Sequence, residues 1–135
     1  MINKRFIYLK KRFNELLTSK RVDYLNLTEK ELPIAPGVYL ISAKIGNKHV
    51  PYYVGRTTIL SQRLYTNHLM GNLTTARLKK YLVESGEIEN STSAKEFIRN
   101  NCSIQWILED DYRERGALEG FFTAILFPKY GIAPE

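Results

Sequence analysis

The chain has 135 residues, one cysteine and two histidines. A single thiol excludes an intramolecular disulfide and a cysteine-built metal cluster, fits a reducing compartment, and leaves Cys102 a core-packing residue. Histidines as few as His49 and His68 leave no histidine-rich metal centre to build. Long apolar runs are missing too. No stretch approaches the ~20 residues of a bilayer crossing. The opening Met1-Ile2-Asn3-Lys4-Arg5 leads into a charged helix rather than a signal-peptide core. A cytoplasmic protein with no membrane partner is expected. No internal repeat is visible, and the length suits one core that buries roughly two-thirds of the unfolded surface.

Acid is scarce where base is dense. Lys4, Arg5, Lys10, Lys11, Arg12, Lys20 and Arg21 face one acid, Glu15, within the first 21 residues of a chain whose net charge is +6. Such a segment attracts polyanions, because phosphate neutralisation releases counterions. A solvated helix face is the simpler account of the same charges.

Hydrophobic spacing sets out the elements. Phe6, Leu9, Phe13, Leu16 and Leu17 follow the period of an amphipathic helix, with Lys4, Lys11 and Glu15 on its other side. Thr28 and Glu31 make a capping box, which Pro33 and Pro36 cut short. The runs 38–43 and 50–55, rich in Val, Ile, Leu and Tyr, read as a hairpin turning near Gly46-Asn47. Tyr52 and Tyr53 should then face opposite sides of the sheet. Thr57 or Thr58 can cap a helix carrying Arg63, Asn67 and His68, with Arg63 and Asn67 on one face and Gly71 at its end. Helices are expected over 74–83 and 94–100, the latter capped by Ser91, Thr92 or Ser93, with a mobile loop before it. A third strand over 102–108 and a last helix over 112–127, stopped by Pro128, complete the chain. The fold class is α+β: a three-stranded antiparallel sheet flanked by helices, with residues 1–31 a basic helical extension on a domain of residues 32–135.

Gly37-Val38-Tyr39 and Tyr53-Val54-Gly55 are paired tripeptides on the two hairpin strands. Arg56 follows directly, Arg63 lies eight residues beyond Gly55, and Glu119 sits in the last helix ahead of Pro128. This set resembles the GIY-YIG nuclease family. The resemblance implies tyrosines on adjacent antiparallel strands, an arginine on the following helix, and a glutamate holding one divalent metal on a later helix. Those places fall on Tyr39, Tyr53, Arg63 and Glu119. Two positions depart from the family pattern. Asn67 stands where relatives carry His or Tyr, with His68 one residue late. Gly131 stands where relatives commonly carry Asn.

The chemistry such residues allow is hydrolysis of a DNA phosphodiester with one Mg²⁺ or Mn²⁺ on Glu119. Arg63 would grip phosphate with its planar donor fork. Arg56 would add a second contact, Tyr39 would activate water, Tyr53 would position it, and His68 is a candidate acid or base. An ion pair with Arg115, four residues back, is the structural account of Glu119. Arg77, Lys79, Lys80 and Lys11 are candidate contacts to double-stranded DNA. A nucleic-acid-binding module with an impaired site is the alternative, motivated by Gly131 and Asn67. Sequence choice would need a second copy or a specificity partner, since no reader domain is visible.

Overall fold

The structure is a computed structural model and describes residues 1–132. Helix α1 (Ile2–Thr18) leads to a two-residue strand β1 (Val22–Asp23), and a 3₁₀ turn (Glu29–Glu31) precedes the hairpin of β2 (Gly37–Ile45) and β3 (Lys48–Thr57). A π-helix (Gln62–Leu69) follows. Then come α2 (Arg77–Glu84), α3 (Ser91–Asn101), β4 (Cys102–Leu108) and α4 (Tyr112–Leu126). The fold is α+β, and its antiparallel sheet runs β1-β4-β2-β3.

That sheet has four strands rather than the expected three. Val22 and Asp23 pair with Ile104 and Ser103, while Tyr24 and Leu27 enter the main core. The segment before residue 32 therefore contributes to the sheet as well as docking a helix. So short a strand leaves no hydrophobic alternation to read.

Two cores sandwich the sheet. On one face Tyr39, Ile41, Tyr53 and Ile104 meet Leu64 of the π-helix, Leu78 of α2 and Ile98 of α3. On the other, Val38, Leu40, Val54 and Ile107 meet Leu16 of α1 and Leu118 and Phe122 of α4. Each fully buried Leu contributes about 1.5–3 kcal/mol before chain entropy is counted. Helix α1 docks through Leu9, Phe13 and Leu16, while Phe6 and Leu17 of the expected apolar stripe stay exposed. Phe6 still meets the edge of Phe121, ring centroids 6.2 Å apart. The end of α1 is fixed by buried Gln105, whose Nε2 donates to the carbonyls of Leu16, Leu17 and Ser19. Carbonyls in the last turn of a helix lack the usual i+4 donor, and that of Leu16 also accepts from the backbone N–H and hydroxyl of Ser19.

Strand β3 carries a bulge. Ile41 pairs with Tyr53 and Ser42 with Pro51, so Tyr52 has no partner and is re-aimed into the same core as Tyr53. The two-residue strand period breaks there, which corrects the expectation of opposite faces. Tyr52 stacks on Phe97 and donates to Glu87 at 2.6 Å. Glu87 also accepts from the hydroxyl of Tyr130 and, at 2.7 Å, from Lys129. The loop expected to be mobile is thereby tied to the segment after α4. Helix α3 starts earlier than expected, with Asn90 as its cap accepting from the backbone N–H of Ser93.

Candidate active site

The glycines of the two tripeptides exist because something lies against them. A Cβ on Gly55 would sit 2.3 Å from the Tyr39 hydroxyl oxygen, and one on Gly37 would sit 2.4 Å from the carbonyl oxygen of Ile107. Tyr39 pairs with Gly55 across the β2/β3 ladder, and its ring passes over that bare backbone. Tyr53 is a diagonal neighbour on the same face, its ring edge-on to Tyr39 at 6.3 Å. The phenol of Tyr39 ends 2.7 Å from Nε2 of His68. The imidazole also lies edge-on to Tyr53 at 5.1 Å.

His68 reaches this cluster because its helix is not an α-helix. The N–H of Met70 bonds the carbonyl of Tyr65, five residues back, and the wider turn brings residue i+5 over residue i. Arg63 and His68 therefore align, rather than Arg63 and Asn67. The start of this helical segment is held by the preceding loop, where Ser61 and Leu60 donate to the carbonyls of Pro33 and Ala35. At its end the Lys79 ammonium donates to the carbonyl of Gly71 at 2.8 Å. Lys79 is 2% exposed, so it closes the π-helix and is not a DNA contact. Burial lowers its pKa to about 8, helped by nearby Lys95.

Glu119 lies on α4, half-buried, with Arg56 Nη1 3.5 Å from its carboxylate. The expected i, i+4 pair with Arg115 does not form: buried Arg115 donates instead to the carbonyls of Glu109 and Asp110. Burial raises the Glu119 carboxyl, while Arg56, Arg77 and Arg63 pull it back toward ionisation. Glu119, Tyr53, Arg77 and Gly131 line one cavity of about 570 Å³. Arg56 and Arg63 line another of about 610 Å³, together with Thr57, Thr58, Tyr112 and Arg113. The Arg56–Glu119 pair stands between the two.

Tyr39 is 1% exposed and lines neither cavity, so Tyr53 is the tyrosine that shares the open groove with Glu119. Burial raises both phenols, more strongly for Tyr39, against the opposing pull of Arg63 on both and Arg77 on Tyr53. Neither is a phenolate at neutral pH. His68 is pulled down to about 3, first by burial and then by Arg63, Arg77 and Lys79, and is a neutral imidazole. Its Nδ1 is buried, with no hydrogen-bond partner among the described residues.

The remaining basic candidates are spread out. Arg77 opens α2 and also lines a small cavity with exposed Lys80. Lys11 projects from α1 beside Ile7, Lys10, Asn14 and Thr18. Gly131 has φ +96°, and a Cβ there would lie 3.0 Å from the Tyr53 ring. Sequence reasoning did not single out Tyr112, Arg113, Gln105 or Glu87. Glu87 meets partners 35 to 43 residues away, and no local pattern marks it.

A strand-borne tyrosine pair, an arginine and histidine on the next helix, and a glutamate on the last helix are thus gathered at one end of the sheet. The fold is similar to that of a GIY-YIG nuclease domain. Among solved structures, the GIY-YIG N-terminal endonuclease domain of UvrC from Thermotoga maritima, bound to magnesium as its catalytic divalent cation, is 26% identical with a TM-score of 0.42. The match covers 81% of this chain and 91% of that one. A point mutant of the same domain, bound to its catalytic divalent cation, is 25% identical over 82% of this chain and 91% of that chain, with a TM-score of 0.43. No family model and no curated protein matches the chain.

Proposed function

We propose that this protein is a divalent-metal-dependent endonuclease that hydrolyses DNA phosphodiester bonds. The observation that carries the reading is Glu119: a half-buried carboxylate on an open groove beside Tyr53, with Arg56, Arg63 and Arg77 close enough to perturb it. Three cations around one acid hold more positive charge than that acid neutralises, and a phosphodiester supplies the missing anion.

Whether a metal fits can be judged from the donor set. Among the described residues no three His, Cys, Asp or Glu side chains come together. A lone carboxylate suits an ion such as Mg²⁺, which keeps most of its waters and takes further oxygens from substrate phosphate. Arg56, at 3.5 Å, does not saturate the Glu119 oxygens. When bound, the ion would polarise the phosphate and stabilise the leaving oxygen. With arginines so near, metal affinity should rise when DNA is present.

The chain's own groups do the rest. Arg63 and Arg56 hold phosphate oxygens. Tyr53 orients water by hydrogen bonding, since its raised pKa rules out a standing phenolate. Tyr39 and His68 fix the Tyr53 ring from behind, and the neutral imidazole adds no fourth cation to the groove.

The test is nicking of supercoiled plasmid by the purified protein, with and without Mg²⁺, beside Glu119→Gln, with DNA binding measured in parallel. Metal-dependent cutting by the parent, lost in Glu119→Gln while binding persists, supports the reading. Binding without cutting in the parent overturns it and leaves a DNA-binding module.

A further inference from the structure

The cavity on the far side of Arg56 from the Glu119 groove is lined by Arg56, Arg63, Arg113 and Arg115, with no acidic residue among its walls. Of the nearby acids, exposed Asp110 stays outside the cavity walls and the others are already engaged. Glu114 pairs with Arg5, Asp111 caps α4 by accepting from the backbone of Arg113 and Glu114, and Glu109 pairs with Arg12. Among the described residues Arg63 and Arg113 make no ion pair, and Arg115 has backbone carbonyls but no carboxylate. Arginine gathered without counter-charge costs free energy that an anion would relieve.

We propose that this cavity binds the DNA strand at phosphates flanking the cleaved one, with Arg113 as its dedicated phosphate contact. The inference rests on the reading of the protein as one that acts on DNA. The spread of charge argues for a polymer over a small anion, because the guanidiniums of Arg56, Arg63, Arg113 and Arg115 are distributed around the walls of a cavity of about 610 Å³. Continuity argues the same way, because Arg56 lines this cavity and touches Glu119 in the next. Tyr112, 73% exposed beside Arg113, offers an aromatic face to a sugar or base.

The experiment is a salt titration of binding to a fluorescent 20-base-pair duplex in Ca²⁺, with parent, Arg113→Ala, Arg113→Lys and Glu119→Gln, folding checked by circular dichroism. Each phosphate neutralised adds about 0.9 to the slope of log K against log salt. Arg113→Ala should lower that slope by about this amount and weaken binding about eightfold at roughly 0.1 M salt. Arg113→Lys should keep the slope, which a merely structural arginine would not require. Equal slopes in folded parent and Arg113→Ala overturn the proposal, as does a parent that does not bind. If the parent binds without ever cutting, the nuclease reading falls, and the difference between parent and Arg113→Ala slopes still decides this site.

Discussion

His68 makes the stability of this protein depend on pH in a window that ordinary surface histidines leave flat. Burial of its imidazole, with a further push from Arg63, Arg77 and Lys79, brings the pKa from 6.5 down to about 3. Between these values the unfolded chain binds a proton that the folded chain refuses. Stability therefore rises with pH across the window and is lost as pH falls through it. At pH 5 the unfolded histidine is mostly protonated and the folded one is not, which corresponds to about 2 kcal/mol less stability than at pH 7.5. The acids with shifted pKa values act below that range or against the histidine. Glu87 and Glu114 are lowered and lose their contribution only at more acid pH, while Glu119 is raised and works in the opposite direction. Urea unfolding of the parent and of His68→Gln at pH 5.0 and 7.5 isolates the histidine. The parent should lose about 2 kcal/mol more than the variant between the two conditions. Equal losses would mean that His68 is solvated or charged in the folded protein, and the neutral imidazole behind Tyr39 would have to be abandoned.

Gly55→Ala places a methyl group against the Tyr39 phenol, and it should cost about 1–3 kcal/mol and lower the melting temperature in a calorimetric scan. Lys79→Met strips the Gly71 carbonyl of its donor and should destabilise by about 1–3 kcal/mol in urea, while the salt slope of DNA binding stays at the parent value. Gly131→Asn should reduce rather than raise cleavage of supercoiled plasmid, because its Cβ meets the Tyr53 ring at 3.0 Å from a backbone with φ +96°. A variant that cuts faster than the parent would refute that account.

Much of the fold was legible because its signals are local. The spacing of Leu9, Phe13 and Leu16 places α1, Gly46-Asn47 turns the hairpin, and the alternation of Ile104, Trp106 and Ile107 assigns β4 its two faces. The features that escaped lack local periodicity. β1 is two residues long and exists because β4 has a free edge. The bulge at Tyr52 follows from Glu87, Phe97 and Tyr130, all distant in sequence. Lys79 reads as one more surface base in a basic helix, and only the open carbonyl at the end of the π-helix turns it inward. Arg113 hides among charges of both signs in the run 109–115, where only the fold shows which of them are already paired.

The two positions that looked like defects have geometric explanations of different kinds. His68 is one residue late for an α-helix and in register for a π-helix, so the extra residue widens the turn and leaves the tyrosine–imidazole contact intact at 2.7 Å. Asn67 is thereby released from any need to supply the side chain expected there. Gly131 removes a side chain, and what it admits in exchange is the close approach of the Tyr53 ring, 3.0 Å from where a Cβ would sit. That packing, with Tyr39 and His68 on the ring's other neighbours, fixes Tyr53 on the wall of the Glu119 groove. A side chain at 131 would crowd Tyr53, the tyrosine that faces the groove, and would strain a backbone at φ +96°. The glycine and the tyrosine therefore belong to one arrangement, and a substitution at either should be read through its effect on the other.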